Sequence, residues 1–219
     1  MTTDLLRLAA LTVALAAVSD ALPQPSTPAA EAEPGAAALE AFLTDVHSLE
    51  AEFAQELWDA DNRLLETAKG TVSLERPNRF LWRYSEPLEQ VIVADGQEVW
   101  IYDVDLAQAT VTPIDETTEA SPALLLSGDA AVRDSFTVVD SFSHDGLEWV
   151  RLEPKVPGAD FTSVLIGFES STPRRLELVD GLSQVTRIEL LDVALNPDLP
   201  AELFEFEPPA GVDVIGERG

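Results

Sequence analysis

The chain has 219 residues, 46% of them apolar, enough for one domain with a sizeable core and too many for global disorder. Forty acidic against 13 basic side chains give a net charge of −27, a field that repels phosphate backbones and anionic lipid surfaces and makes nucleic acid a very poor partner. The absence of cysteine removes disulfides, thiolate metal sites, Cys nucleophiles and a lipid-modified N-terminal Cys, and strong acidity with two histidines fits a surface adapted to high salt.

In chain order, residues 5–18 are apolar apart from Arg7 and Thr12, and Ser19 and Ala21 put small residues at both positions of a cleavage site. This predicts a secretory signal peptide over residues 1–21, with Asp4 offsetting Arg7 in its leading segment. A transmembrane anchor is the alternative, but the run falls short of the ~20 residues a span needs. Residues 22–35, rich in Pro, Ala and Glu, read as a flexible linker, which leaves 36–219 as the folded domain.

Leu39, Phe42, Leu43 and Val46 follow helical spacing and predict an amphipathic helix over 36–47. From Leu49 the period changes to two, through Ala51, Phe53, Gln55 and Leu57. Strands are predicted near 49–58, 64–75, 79–85, 88–94, 97–104 and 108–114, joined by short turns at Asp, Asn, Gly or Pro. Phe80, Trp82 and Tyr84 occupy alternate positions, and Trp100 and Tyr102 repeat the spacing after the Asp95–Gly96 turn. Two readings of these aromatics stand side by side: an ordinary sheet core, or a concave apolar face that meets a ligand. Periodicity does not separate them.

At Ser121 the alternation breaks. Ser121 can cap a helix, Pro122 suits its first position and Gly128 ends it. The helix so predicted is apolar around nearly its whole girth, so it is either covered on all sides or covers something apolar. A second helical turn is predicted over 129–134. Strands resume near 136–142, 147–154, 161–169, 174–180 and 184–193, followed by a turn over 196–202 and a tail, LFEFEPPAGVDVI. Connections this short predict antiparallel neighbours in a meandering sheet, eleven strands in all.

Catalytic chemistry is hard to find. His47 and His144 lie in no metal-ligand spacing; one ends a predicted helix and the other precedes a turn, and both read as structural or solvated. GxSxG, Walker-type and GxGxxG motifs are missing, and 40 carboxylates guarantee chance acidic pairs. The sequence therefore describes a binding protein before an enzyme, with no catalytic residue, metal or cofactor assigned.

The ordered motifs resemble the periplasmic lipoprotein carrier family (LolA) of Gram-negative bacteria. They are F-x-Q at Phe53–Gln55, RPN-x-F-x-W at Arg76–Trp82, and P-x-x-Q-x-I-V-x-D-G at Pro87–Gly96. They continue with VW-x-Y-D-x-D-L-x-Q-x-T-V at Val99–Val111, S-P-A-x-L-L at Ser121–Leu126, and F-x-F-x-PP-x-GVDVI at Phe204–Ile215. The resemblance covers roughly residues 38–215. It implies an incomplete antiparallel β-barrel of eleven strands, its concave face capped by short helices, in a monomer of the periplasm.

The function it implies is transport: the carrier takes acylated lipoproteins from an inner-membrane ABC transporter and hands them to an outer-membrane receptor. It further implies that Arg76 hydrogen-bonds backbone carbonyls of a lid, Ala123, Leu124, Leu125, Leu126 and Ser127, and so holds the empty cavity shut. The expected acyl contacts are Leu43, Val46, Phe80, Trp82, Leu124 and Leu126, with Trp100 included although its strand can face the other way. Ala123 is small where some members carry an aromatic. Ile215 is followed by four residues, so an additional C-terminal strand of some members is expected to be missing. The family's sister receptor is anchored through a Cys this chain lacks. A lipid-sensing or regulatory half-barrel is the alternative reading.

Overall fold

The computed structural model describes residues 33–114, 126–127, 135–155 and 161–216. The signal peptide, most of the predicted linker, lid residues Ala123, Leu124 and Leu125, and the turn over 129–134 lie outside them. The chain is mainly β, with helix α1 (Pro34–Asp45) followed by strands β1 (Ser48–Trp58), β2 (Leu64–Glu75), β3 (Arg79–Glu86), β4 (Gln90–Asp95), β5 (Glu98–Asp103) and β6 (Gln108–Pro113). A second run holds β7 (Phe136–His144), β8 (Leu147–Pro154), β9 (Phe161–Glu169), β10 (Thr172–Asp180) and β11 (Val185–Leu195). A 3-10 turn (Ala201–Phe204) and β12 (Asp213–Gly216) follow.

The described strands join one open sheet in the order β12-β6-β5-β4-β3-β2-β1-β11-β10-β9-β8-β7. The meander expected from short connections is present in both runs, and β1 pairs with β11 to join them. Hairpin turns follow from their Asp residues. Asp59 Oδ1 accepts the N–H of Asp61 and of Arg63, Asp95 Oδ1 those of Gln97 and Glu98, and Asp180 Oδ1 those of Leu182 and Gln184, each within 2.9 Å.

Two expectations need correction. The linker was expected to run to residue 35, but the helix begins at Pro34, whose fixed φ and missing N–H suit a first helical position. The described residues hold twelve strands, because the tail returns as β12 and pairs parallel with β6, Asp213 opposite Gln108 and Ile215 opposite Thr110. Hydrophobic alternation could not reveal it, since all four of its residues are exposed.

The sheet has two differently covered faces. On the front, Leu49, Phe53, Val72, Leu74, Phe80 and Trp82 form one cluster with the buried face of α1 and the inward residues of β8 to β11. On the back of β3 to β6, Leu81, Val93, Trp100 and Val111 form a second cluster sealed by the tail through Leu203, Phe204 and Phe206. Turn parity decides which face an aromatic takes. Trp82 pairs with Ile92 across an odd number of intervening positions, which preserves parity, but Val93 pairs with Trp100 across six, which inverts it. Trp100 therefore faces away from Trp82 and rests 5.4 Å from the Phe206 ring.

α1 reaches the sheet closely at its N-terminal end. Ser141 Oγ on β7 accepts the N–H groups of Gly35 (2.9 Å) and Ala36 (3.2 Å), a cap supplied by a distant residue. A Cβ on Gly35 would lie 2.0 Å from the Trp149 carbonyl oxygen, a backbone atom that cannot turn aside. Gly35→Ala should therefore lift the first turn off β8 and cost about 1–3 kcal/mol in urea unfolding, with Ser141→Ala costing about 1 kcal/mol. Wild-type stability in Gly35→Ala would show that the helix is not seated this closely.

Candidate functional site

α1 packs over β7 to β10, and one face of it, Leu39, Phe42 and Leu43, with Val46 just past its end, enters the front cluster with Phe80 and Trp82. Leu126 joins the same cluster with none of its surface exposed, and the Asn78 N–H donates to the Ser127 carbonyl at 3.2 Å. The structure thus brings together Leu43, Val46, Phe80, Trp82 and Leu126 from the expected acyl-contact set. Leu124 lies outside the described residues. Trp100 is a correction: it belongs to the back cluster, for the parity reason above.

The C-terminal end of α1 is fastened by two residues that directly follow distant strands, Arg76 after β2 and Asn196 after β11. Arg76 Nε donates to the Val46 carbonyl at 2.8 Å, and its guanidinium carbon stands 4.8 Å above the centre of the Phe42 ring. Its own backbone N–H donates to the His47 carbonyl at 2.8 Å. An Arg can hold a helix end this way because its planar fork gives several donors in fixed directions and its face stacks on an aromatic. Of the lid carbonyls expected to meet Arg76, those of Ala123, Leu124 and Leu125 lie outside the described residues. What is visible is that Arg76 grips α1.

Asn196 is the partner that sequence reading missed. Its Oδ1 accepts the N–H of His47 (2.7 Å) and Ser48 (3.4 Å), and its Nδ2 donates to the Asp45 carbonyl at 3.0 Å. Its φ of 56° is a left-handed value that Asn tolerates better than most residues. The only sequence signal was the turn dipeptide Asn196-Pro197; that this turn clamps a helix nearly 150 residues away was not readable from it. His47 is exposed where the helix ends, and it is the backbone of His47 that the fold uses.

Along the front of β1 to β5 the chemistry changes row by row. The row Leu49, Leu74, Phe80 and Ala94 is apolar and fully covered, and the next, Ala51, Val72, Trp82 and Ile92, is apolar and nearly so. Phe53, Gly70, Tyr84 and Gln90 come next, with Gln90 Nε2 donating to Asp103 Oδ1 at 3.0 Å. Phe53 packs between the Trp82 ring, tilted against it at 4.8 Å, and the Tyr84 ring, edge-on at 5.1 Å. The Tyr84 hydroxyl donates to Gln55 Oε1 at 3.1 Å. Trp82 Nε1 is buried without a hydrogen-bond partner. Among the described residues no group of three or more His, Asp or Glu is placed to hold a metal.

Burial pushes the Tyr84 phenol above its ordinary pKa of 10.0, partly offset by Gln55 and the Trp82 indole. Its stabilising contribution is therefore complete below pH 10 and is lost as pH rises through the raised folded value. Unfolding followed across that range should lose stability in the wild type and less in Tyr84→Phe. Asn196→Ala should cost about 1–3 kcal/mol in urea unfolding, because three backbone groups at the helix end lose their partner. Asn196→Asp, which keeps the acceptor but loses the donor to Asp45, should fall between; equal stability of all three would remove the clamp.

Comparison with known proteins comes to the same place. A family model described as outer membrane lipoprotein carrier protein LolA matches residues 44–207. A Nitrosospira multiformis protein named outer-membrane lipoprotein carrier protein is 41% identical over 184 residues, 84% of this chain and 89% of that one. Proteins of the same name from Methylococcus capsulatus and Dechloromonas aromatica are 39% and 38% identical, over 82% and 80% of this chain and 86% and 85% of theirs.

Proposed function

The chain belongs to the outer-membrane lipoprotein carrier (LolA) family, and we propose that it is a periplasmic carrier that shields the acyl chains of lipoproteins between the two membranes. In this reading it receives them from an ABC transporter of the inner membrane and delivers them, as a monomer, to a receptor on the outer membrane. It is a chaperone and not an enzyme. Residues 1–21 are a signal peptide that directs export.

The observation that carries this reading is the front face: apolar rows from β1 to β4 and β8 to β11 form one cluster with a short helix gripped by Arg76 and Asn196. Each buried CH₂ contributes ~0.8 kcal/mol, so a multiply acylated protein does not leave a membrane for water unaided. Interior surface of this kind can replace that membrane, provided its cover opens and closes. A lipid-sensing module would need the same interior, but the relatives that match most of the chain carry the carrier's name.

Leu43, Val46, Phe80, Trp82, Leu124 and Leu126 then supply the acyl contacts, and Arg76 with the 123–127 segment supplies the gate. Arg76→Leu keeps bulk and removes every donor, so the closed state alone loses roughly 1–3 kcal/mol and the equilibrium moves toward open by about one to two decades. In spheroplast release assays the variant should still take up lipoprotein, and its transfer to outer-membrane vesicles should fall sharply. Equal loss of both steps with lower thermal stability would make Arg76 a folding residue. Normal transfer would remove the gate, and failure of the wild type to form any soluble lipoprotein complex would remove the carrier reading itself.

A further inference from the structure

Among the described residues, the front of β3 carries a buried polar atom with no hydrogen-bond partner. Trp82 is only 2% exposed, and its indole Nε1 is buried without a hydrogen-bond partner. It interacts with the Tyr84 hydroxyl without meeting hydrogen-bond distance and angle, and that hydroxyl gives its own proton to Gln55 Oε1 at 3.1 Å. An unpaired N–H in an apolar interior is costly, and few buried donors are left that way. A Phe at this position would supply an aromatic ring, though a smaller one, without that cost.

The place of this donor in the row order gives it a use. Behind Trp82 the face is wholly apolar, through Leu74, Phe80 and Leu49. Ahead of it come Tyr84, Gln55 and Gln90, all partly exposed and polar. Trp82 therefore stands where an apolar interior meets a polar rim. A fatty acyl group laid along this gradient puts its chain in the interior and its first polar atom, the carbonyl oxygen, at the boundary.

We propose that Trp82 Nε1, with the Tyr84 and Gln55 pair at its side, forms a subsite that hydrogen-bonds the carbonyl oxygen of an acyl linkage. The subsite rests on the carrier reading above and adds a polar selection to it: the protein prefers acyl chains over alkyl chains of the same length. Gln55 holds the Tyr84 hydroxyl turned away, so the phenol does not donate to the same carbonyl. The ligand is any acyl carbonyl, whether of an ester or an amide.

Three probes of one chain length test this: methyl palmitate, N-methylpalmitamide and octadecane, which has no acceptor, each displacing bis-ANS bound to the purified protein. The ester or the amide, or both, should displace the dye at about tenfold lower concentration than the alkane, the difference one buried hydrogen bond makes. The comparison of ester with amide identifies which linkage the subsite reads. Trp82→Phe keeps an aromatic ring and removes the donor, so it should bind all three alike. Equal displacement by all three in the wild type overturns the subsite and leaves the carrier reading standing, a result that does not depend on any variant folding. Retention of the acyl preference in folded Trp82→Phe overturns the role of Trp82. Displacement by none of them removes both the subsite and the carrier reading.

Discussion

An open sheet leaves apolar surface in water unless other parts of the chain cover it, and the front of this sheet depends on how a twelve-residue helix is held down. A helix of that length is marginal alone, so α1 exists because Leu39, Phe42 and Leu43 pack on the sheet. Each such side chain contributes roughly 1.5–3 kcal/mol when fully buried. The position of the helix is set by a few polar contacts at its two ends: Ser141 at the first turn, Arg76 and Asn196 at the last. All three sit on or beside strands, so the rigid sheet dictates where the cover rests. Contacts of about 0.5–1.5 kcal/mol each can be exchanged without unfolding the strands beneath.

The back face is built for permanence. Phe204 and Phe206 are wedged against Leu81, Trp100 and Tyr102, and the tail then continues into β12, whose backbone pairs with β6. Releasing this segment breaks ladder hydrogen bonds and aromatic packing together. Trp82 and Trp100, similar in sequence context, thus do opposite jobs: one lines the covered interior, the other locks a strap. The rest of the back, on β1, β10 and β11, carries charge, with Arg175 near Glu189 and Arg187 near Glu177 at 3.6 and 3.5 Å. Such exposed pairs contribute little to stability. What the large negative charge does supply is solubility for a protein whose proposed work is to hold grease.

Sequence alone determined α1 and eleven of the described strands, because each is a short-range pattern. Alternation from Leu49 onward located eleven strands within about two residues, and helical spacing at Leu39, Phe42 and Leu43 located α1. The ordered motifs from Phe53 to Ile215 determined the family. Tertiary structure decided which face each residue takes and who holds the helix. The face of Trp100 depends on the parity of the turn between β4 and β5, a count of backbone positions that periodicity does not contain. Strand β12 has no buried side chain to announce it, and only pairing with β6 makes it a strand. Asn196, Ser141 and Gly35 act across more than a hundred residues, through contacts that exist only once β1 has paired with β11 and β8 has come under the helix. Local chemistry is written in neighbouring residues; an anchor between distant segments is a property of where folding puts them.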